Sequence, residues 1–492
     1  MNQPISIAIL AAGLGTRMKS RRAKVLHEAG GLPLVEHVVL SALELAPPEH
    51  ITVVVGHQAA EVEARLQHRG VRFARQHQQL GTAHALLCAR EQLGQHGLVL
   101  TLYGDTPLLS SQTLRRLVQH HQQSGAAATV ITAVLEDPTG YGRIITDESG
   151  FIEAIVEHKV ASEAQRAIRE INSGIYCFDA AALWEHLPRI QANPVSKEYY
   201  LTDIVELFRA AGLRVSRWLH PDPSELLGIN TRIELAQVDQ IFRRRKAEEL
   251  MLAGVTIRHP DTVSIDREVR VGMDTVIESS VAIRGRSSIG ENCHIGAGAI
   301  LSDVEIGDGV TVGPYTVIAQ SQIGARASIG PFARLRVNNV LGPGVHIGNF
   351  VELKNARLGE GVKAGHLAYL GDAEVGARVN IGAGTITCNF DGERKHETAV
   401  GEGAFLGSNS TLVAPLRIGA GSYIGAGSVI TDDVPPDALA LGRARQVIKE
   451  GWARRRRQSR AVSSGDNRSE AQTTAADQHL ASHIIRPGGT EK

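Results

Sequence analysis

The stretch that decides the fold is IGENCHIGAGAILSDVEIGDGVTVG, residues 289–313, in which an aliphatic residue followed by glycine returns after six positions. The same spacing recurs along the second half of the chain, in the pairs Ile289 and Ile295, Ile306 and Val312, Ile323 and Ile329, Leu341 and Ile347, Val375 and Ile381, Val400 and Leu406, and Ile418 and Ile424. A helix does not have this period, whereas one short strand and one tight turn do, and three such units close a triangular coil. The pattern predicts a left-handed parallel β-helix of hexapeptide repeats, with aliphatic side chains on the axis and glycine at the corners.

The phase of the repeat excludes the simplest alternative, a flexible glycine-rich linker, because a linker does not hold aliphatic residues in register. Two interruptions, at 359–374 and 388–399, break the phase. We expect each of them to form a loop that leaves the coil. Loops on a rigid scaffold often carry functional residues, so both are candidates for a site.

The first half of the chain is built differently. Short apolar runs alternate with segments of helical period, the runs being 5–12, 51–55, 98–102 and 128–135 and the helical segments including 33–45 and 82–93. This alternation is typical of βα units around a mostly parallel sheet. It predicts an α/β domain at 1–230.

A connecting helix is predicted at 231–253. Apolar residues recur there at helical spacing, and Thr231 with Glu234 has the pattern of a capping box. The β-helix domain then occupies 254–457. The remaining residues, 458–492, are mostly polar, and we expect them to form a disordered tail.

Composition indicates a globular protein of 492 residues, 43% of them hydrophobic and 21% charged. Lys and Arg together number 52, as do Asp and Glu, so no net field attracts nucleic acid or a membrane, and we expect neither as a partner. The run Arg454 to Arg457 could contact RNA or anionic lipid, but a solvated face is the favoured interpretation. No stretch reaches the ~20 apolar residues that a membrane span needs.

The cysteines indicate a reducing compartment. The four residues Cys88, Cys177, Cys293 and Cys388 lie far apart and form no CxxC pair. Neither a zinc site nor a disulfide framework is therefore expected. The expected location is the cytoplasm.

The segment LAAGLGTRM, residues 10–18, follows the first apolar run directly. Its small residues let backbone N–H groups approach a phosphate, although a glycine pair after a strand also occurs in plain tight turns. With KVLH at 24–27, GTAHA at 81–85 and YGDTPL at 103–108, the order and spacing of motifs resemble the sugar-1-phosphate nucleotidylyltransferase family.

This resemblance implies a Rossmann-like domain that joins a nucleoside triphosphate to a sugar 1-phosphate and releases pyrophosphate. Arg17, Lys24 and a Mg²⁺ ion would neutralise the phosphates, and Asp105 with Asn230 would hold the metal. The nucleotide, UTP, would contact Leu10, Ala11, Ala12, Gly13, Lys24, Gln76, Gly81, Thr82, Tyr103, Gly104, Asp105 and Asn230, and the sugar would contact Gly142, Glu157 and Asn172. The chain departs from the family at Arg21-Arg22-Ala23, where an acidic residue and proline are common.

In the second half, the repeats alone allow either an acyltransferase or a module for assembly or regulation. The segments GNFVELKNA at 348–356, KAGHLAYLGDAEVG at 363–376 and NIGAGTITCNFDG at 380–392 resemble the family of bifunctional N-acetylglucosamine-1-phosphate uridylyltransferases and glucosamine-1-phosphate acetyltransferases. The resemblance covers roughly residues 5–455. It implies synthesis of UDP-N-acetylglucosamine, a precursor of peptidoglycan and lipopolysaccharide, with acetyl-CoA as second co-substrate.

Within this family the resemblance makes His366 the general base for acetyl transfer, since an imidazole with an ordinary pKa of about 6.5 suits that task. Substrate would be bound by Arg336, Lys354, Tyr369, Asn380 and Lys395, and acetyl-CoA by Ala383, Asn389, Phe390, Ser408, Ala426 and Arg443. Phe390 stands where tyrosine is frequent, and Val337 where proline is usual. The family also implies a homotrimer with the acetyl site between subunits.

Two other functions compete with this interpretation. One is a single-reaction nucleotidylyltransferase whose β-helix only assembles or regulates it, and the polar cluster around His366 argues against that. The other is a non-catalytic assembly subunit. The presence of Arg17, Lys24, Asp105 and Asn230 argues against the second.

Overall fold

The structure, a computed structural model, describes residues 3–158 and 160–461. The chain divides into two compact units, 1–440 and the residues from 441 onward. The first unit contains the α/β sheet, a long helix and the β-helix. In the second, residues 452–461 are helical, so the predicted start of a disordered tail at 458 falls within a helix. The rest of that tail, 462–492, lies outside the described residues.

The first half folds around a mostly parallel sheet, as predicted. Seven strands follow one another across it in the order Val215–Leu219, Ala128–Val134, Glu170–Asp179, Leu98–Tyr103, Ile5–Ala11, Ile51–Val55 and Arg72–Arg75. Only Glu170–Asp179 runs antiparallel to its neighbours in this row. The helices of this half are Leu34–Leu43, Ala59–Leu66, Thr82–Cys88, Ser111–Ser124, Glu163–Arg166, Ala180–His186 and Ile204–Ala210. A side ribbon of Arg143–Thr146 and Ile152–Val156 extends the sheet.

The direction of the strands decides where polar residues gather. The strands Ile5–Ala11, Leu98–Tyr103 and Arg72–Arg75 all belong to the parallel part of the sheet, so their carboxyl ends lie at one edge. The segment 12–17 follows the first of these strands, Asp105 follows the second and Gln76 the third. Ligands of open α/β sheets bind at this edge.

The second half forms the predicted coil of parallel strands. One face consists of eleven strands, Thr256–Ile257, Val276–Ile277, His294–Ile295, Thr311–Val312, Ser328–Ile329, His346–Asn349, Lys363–His366, Asn380–Ile381, Phe405–Leu406, Tyr423–Ile424 and Leu439–Ala440. The other two faces share a second sheet, with strands Ser264–Ile265, Arg270–Val271, Ala282–Arg284, Ser288–Ile289, Ile300–Ser302, Glu305–Ile306, Val317–Ala319, Ser321–Ile323, Arg334–Leu335, Asn339–Leu341, Glu352–Leu358, Tyr369–Val375, Ile386–Cys388, Thr398–Val400, Thr411–Val413, Leu416–Ile418 and Val429–Ile430.

The interior of the coil is a set of aliphatic stacks. Each inward side chain pairs with its equivalent one coil away, as Leu301 does with Ile318 and Ile318 with Leu335. All three are at most 1% exposed. Because an inward side chain always meets another inward side chain, the whole domain shares one continuous apolar core.

One of the two predicted interruptions is wrong. Residues 359–374 contain the regular strands Lys363–His366 and the first part of Tyr369–Val375, which pair with the coils on either side. The repeat continues there as Leu358-Gly359 and Ala364-Gly365, with alanine in place of a larger aliphatic residue, and both side chains are buried. The second interruption is confirmed. Residues 389–397 leave the coil, closed by a bridge between Phe390 and Lys395.

The connecting helix joins the two cores. It runs Arg232–Leu252, and the capping box of Thr231 and Glu234 is present. Near its start, Val238 packs in a cluster with Ala29, Leu34 and Ile229 of the first half. Near its end, Ala247 and Leu250 belong to the core of the β-helix.

Among residues 3–158 and 160–461, none of the helices has both the length and the apolar composition that crossing a bilayer would require. The four cysteines are free thiols.

Replacing Ile318 by alanine should lower the free energy of unfolding of the β-helix by about 2–5 kcal/mol, because it opens a cavity in a filled interior. Urea-induced unfolding followed by circular dichroism measures the change. The matched control is Val317→Ala on the same strand, whose side chain points outward and is 39% exposed. Equal effects of the two substitutions would contradict the inward assignment of Ile318.

Candidate active sites

The segment after the first strand is shaped by one glycine. Gly15 has φ +61°, a left-handed conformation that favours glycine. A Cβ placed on Gly15 would lie 2.5 Å from Cβ of Lys24. Gly15 thus allows the segment to turn into the short helix Thr16–Met18 and lets Lys24 approach.

Four predicted polar residues converge beside this segment. The guanidinium of Arg17 donates to Oδ1 of Asn230 at 2.7 Å, and Nζ of Lys24 lies 3.3 Å from the same oxygen. Lys24 also forms an ion pair with Oδ2 of Asp105, both side chains being about 15% exposed. The carboxylate of Asp105 and the amide oxygen of Asn230 are therefore both within reach of one ammonium group.

The long helix places Asn230. The carboxylate of Glu234 accepts from the backbone N–H of Asn230 at 2.6 Å and from that of Thr231 at 2.8 Å. The side-chain nitrogen of Asn230 donates to the carbonyl oxygen of Gly228 at 3.0 Å, which leaves Oδ1 facing Arg17 and Lys24. In addition, the N–H of Ile229 bonds to the carbonyl oxygen of Asp105 at 2.9 Å.

A second group of predicted residues packs against the segment 199–201. The amide nitrogen of Gln76 donates to the carbonyl oxygen of Gly81 at 3.0 Å. Gly81 has φ +105°, and a Cβ there would lie 2.5 Å from the carbonyl oxygen of Tyr199. Oγ1 of Thr82 accepts from the N–H of Leu201 at 2.9 Å. The segment 199–201 therefore holds this group of residues in place.

The predicted sugar residues form a third group. The N–H of Asn172 donates to the carbonyl oxygen of Gly142 at 2.9 Å. A Cβ on Gly142 would lie 3.5 Å from Oε1 of Glu157, so these three residues are neighbours. Burial, followed by the charges of Asp105 and Glu157, raises the pKa of Tyr103 well above its usual range. The charges of Asp105 and Glu157 therefore both act on the hydroxyl group of Tyr103.

The first two groups line a pocket of about 510 Å³, whereas Gly142, Glu157 and Asn172 are not among its lining residues. Its lining includes the predicted residues Leu10, Ala11, Ala12, Gly13, Arg17, Lys24, Gln76, Gly81, Thr82, Tyr103, Asp105 and Asn230. Gly104 lies beside it, its N–H bonded to the carbonyl oxygen of Leu10 at 2.9 Å. The lining also includes Leu14, Thr16, Val25, Gln79, Ala85 and Glu198, which were not predicted. Thr16 belongs to a motif already recognised, whereas no sequence signal marks Glu198.

On the β-helix, three predicted cations lie together. The close approach and positive charge of Lys395, followed by the charge of Arg336, lower the pKa of Lys354, while Asp372 opposes this effect. Arg336 also contacts Oε1 of Glu352 at 3.3 Å. Lys395 reaches the other two because the loop 389–397 leaves the coil and returns. An excess of positive charge in one place is what an anionic group such as phosphate requires.

A ladder of polar side chains runs beside these cations. Asn338 donates to Asn355 at 3.1 Å, Asn355 donates to Asp372 at 2.9 Å, and Asn389 donates to the other oxygen of Asp372. Each step spans 17 residues, one turn of the coil. Only Asn389 was predicted, although the spacing of 17 residues is a signal that could have identified the others. The hydroxyl of Tyr369 lies beside this ladder, since a Cβ on Gly371 would contact both Tyr369 and Asn389.

His366 is the last residue of the strand Lys363–His366, and its side chain is exposed. The predicted residues Ala383, Ser408 and Ala426 occupy the equivalent corner of later coils. The N–H of Asn409 bonds to the carbonyl oxygen of Ala383 at 2.7 Å, and that of Gly427 to Ser408 at 2.8 Å. Asn380 lies on the same face, paired with Lys363. Phe390 is exposed on the loop, and Arg443 belongs to the second unit.

Comparison with known proteins identifies the two halves separately. The MobA-like NTP transferase domain matches residues 7–173. The GMPPB C-terminal domain matches 259–358, and the bacterial transferase hexapeptide (six repeats) matches 397–432. An α/β nucleotidyltransferase domain followed by a left-handed hexapeptide β-helix is thereby confirmed.

Whole-chain relatives agree with this division. The bifunctional protein GlmU of Solibacter usitatus is 54% identical over 458 residues, covering 93% of this chain and 98% of that protein. The GlmU protein of Koribacter versatilis is 47% identical over 459 residues, covering 93% of this chain and 98% of that protein. The GlmU protein of Anaeromyxobacter sp. is 51% identical over 459 residues, covering 92% of this chain and 93% of that protein. The chain therefore belongs to the GlmU family of bifunctional enzymes, which combine uridylyltransferase and acetyltransferase activities in one polypeptide.

Proposed function

We propose that the N-terminal pocket and the surface around His366 are the two active sites of this UDP-N-acetylglucosamine-forming enzyme. The β-helix acetylates glucosamine 1-phosphate with acetyl-CoA, and the N-terminal domain then joins the product to UTP. The observation that carries the assignment is the convergence of Arg17, Lys24, Asp105 and Asn230 beside the glycine-rich segment.

In the first site, an oxygen of the sugar 1-phosphate attacks the α-phosphorus of UTP. A new P–O bond forms, the bond from the α-phosphorus to the bridging oxygen breaks, and pyrophosphate leaves with the electron pair. The reactants are all anions, so the protein mainly has to position them and neutralise charge. The backbone N–H groups of residues 12–15 donate hydrogen bonds to the phosphates. The side chains of Arg17 and Lys24 neutralise the negative charge of the phosphates. Gln76, Gly81 and Thr82 receive the base, and Gly142, Glu157 and Asn172 receive the sugar.

Asp105 and Asn230 fit a magnesium ion. Their side-chain oxygens are hard ligands, and both lie within reach of the Lys24 ammonium, so they are close to one another. Two protein oxygens suit Mg²⁺, which usually keeps waters and substrate phosphates as its remaining ligands. When bound, the ion would neutralise charge on the transferring phosphoryl group.

In the second site, His366 takes a proton from the 2-amino group of glucosamine 1-phosphate. The amine attacks the thioester carbonyl, a C–N bond forms, the C–S bond breaks with its electron pair on sulfur, and the coenzyme A thiolate takes up the proton and leaves as the free thiol. Arg336, Lys354 and Lys395 hold the sugar phosphate, with Tyr369 and Asn380 nearby. The column Ala383, Ser408 and Ala426 receives acetyl-CoA, together with Asn389 and Phe390. Cys388 is not needed as a nucleophile, because the transfer is direct.

We further propose that the enzyme is a cytoplasmic homotrimer. Tyr315, Phe332 and Phe350 stack at one corner of the coil with ring centroids 5.4 and 5.6 Å apart, and each ring is about half exposed. All three aromatic residues have a positive φ, as does Leu367, which follows His366 in the chain. The side chain of Leu367 is also exposed. Burial of this apolar edge by further copies would bring subunits together at the acetyl site.

The function is tested with pure protein, glucosamine 1-phosphate, acetyl-CoA, UTP and Mg²⁺. Free thiol and pyrophosphate are followed separately. We expect thiol release without UTP, and pyrophosphate release only when the acetylated sugar has formed or is supplied. Release of one product but never the other would contradict the bifunctional assignment.

A truncated chain from residue 231 should retain acetyl transfer, because it keeps the helix end and the whole core of the β-helix. Thiol release is the measurement, with assembly followed by light scattering. A fragment that folds and assembles but does not release thiol, while the full chain does, would contradict the division of the two reactions.

Asp105→Ala should nearly abolish uridylyl transfer and leave acetyl transfer intact, because it removes a proposed metal ligand from one site only. Pyrophosphate release is measured over a range of Mg²⁺ concentrations. Glu91→Ala, which removes an exposed carboxylate from the same domain, is the control. Normal pyrophosphate release by the Asp105 variant would refute the metal assignment.

His366→Ala should lower acetyl transfer by about 10² to 10⁴-fold and leave uridylyl transfer unchanged, since a positioned general base typically contributes that much. Thiol release is measured against pH. The part of the pH profile that depends on the imidazole should disappear, while the residual rate still rises as free amine accumulates.

The control for this substitution is His346→Ala, an exposed histidine on the same face of the coil. We expect it to have no effect. If the His366 variant acetylates at the unaltered rate at pH 7, His366 is an ordinary surface residue.

A further inference from the structure

The amide of Gln76 makes contacts that determine which of its polar atoms faces the N-terminal pocket. The side chain lines the pocket and is only 3% exposed. Its Nε2 lies 3.0 Å from the carbonyl oxygen of Gly81 and 3.0 Å from Nδ1 of His84. A carbonyl oxygen can only accept a hydrogen bond. The amide atom that faces Gly81 is therefore the NH₂ group, because the reversed amide would place Oε1 against the carbonyl oxygen of Gly81, and both of these atoms are acceptors.

His84 is the second partner of that NH₂ group. To accept from it, Nδ1 must carry no proton, and the imidazole proton is then on Nε2. Nε2 lies 3.9 Å from the sulfur of Cys88, a weak acceptor one helical turn further on. The three side chains thus form a chain of donors and acceptors, in which Gln76 donates to His84 and His84 donates to Cys88.

Both hydrogens of the Gln76 amide are used by these contacts, so Oε1 remains for the occupant of the pocket. We infer that His84 is a positioning residue that holds the Gln76 amide with its oxygen toward the nucleotide base, so that the site selects a base with a ring N–H. This inference rests on the proposed function, in which Gln76 receives the base.

Uracil and cytosine differ at N3, the ring atom that would face Oε1 of Gln76. Uracil carries a hydrogen on N3 and can donate to Oε1, whereas N3 of cytosine is an acceptor. Two acceptors that face each other in a buried place lose the hydrogen bond, and both atoms are left unpaired. Without His84, one hydrogen of the Gln76 amide loses its acceptor, and only the contact to Gly81 holds the amide. The discrimination between the two bases should then weaken.

The test compares UTP and CTP as substrates of the full-length enzyme, with N-acetylglucosamine 1-phosphate and Mg²⁺. His84→Leu removes the acceptor, and we expect the ratio of kcat/KM for UTP to that for CTP to fall about three- to tenfold, the effect of one hydrogen bond. His84→Asn places an amide oxygen near the position of Nδ1, and we expect it to restore most of the ratio. His77→Leu, an exposed histidine beside Gln76, is the matched control.

Far-ultraviolet circular dichroism and thermal unfolding of each variant report whether the N-terminal domain, which contains His84, is folded. An unchanged ratio in His84→Leu, or an equal fall in the Leu and Asn variants, would overturn the role of His84 as an acceptor. If the Leu variant does not fold, the Asn variant decides: a retained ratio supports the role and a lowered ratio overturns it. Absence of pyrophosphate release from UTP by the unaltered enzyme would contradict the proposed function itself.

Discussion

The carboxylate of Glu234 makes the contact on which the arrangement of the chain depends. It accepts from the backbone N–H groups of Asn230 and Thr231, which are the last residues before the long helix. The same contact therefore starts the helix, ends the α/β domain and fixes the residue that faces Arg17 and Lys24. Because the helix continues into the core of the β-helix, one capping box links the first site to the second domain.

The two domains bring polar side chains together by different geometries. In the α/β domain, parallel strands end at one edge, so residues far apart in the chain meet there, as Lys24 and Asp105 do. In the β-helix, each coil places its residues directly over those of the coil before. A side chain such as Asn355 then meets its equivalent, Asp372, 17 residues later. Only where the coil opens, at 389–397, can a residue such as Lys395 reach the cations of earlier coils.

Most of the fold could be predicted because both architectures leave a period in the sequence. The expected loop at 359–374 was wrong for a specific reason. The interior of the coil accepts alanine as well as larger aliphatic residues, and Ala364 keeps the phase that the larger residues define. The site residues were predicted by resemblance. The structure brings most of them together, but their roles stay predictions until the substitutions are made.

The sequence by itself determined the repeat, the order of the domains, the capping box and the motifs that indicate two transfer reactions, because each of these is a local pattern. Only the tertiary structure decided which side chains meet. The position of Glu198 in the N-terminal pocket, the proximity of Lys354 to Lys395 and the orientation of the Gln76 amide leave no local pattern. Each depends on contacts between segments that only the folded chain brings together, and on which polar atom finds a donor or an acceptor there.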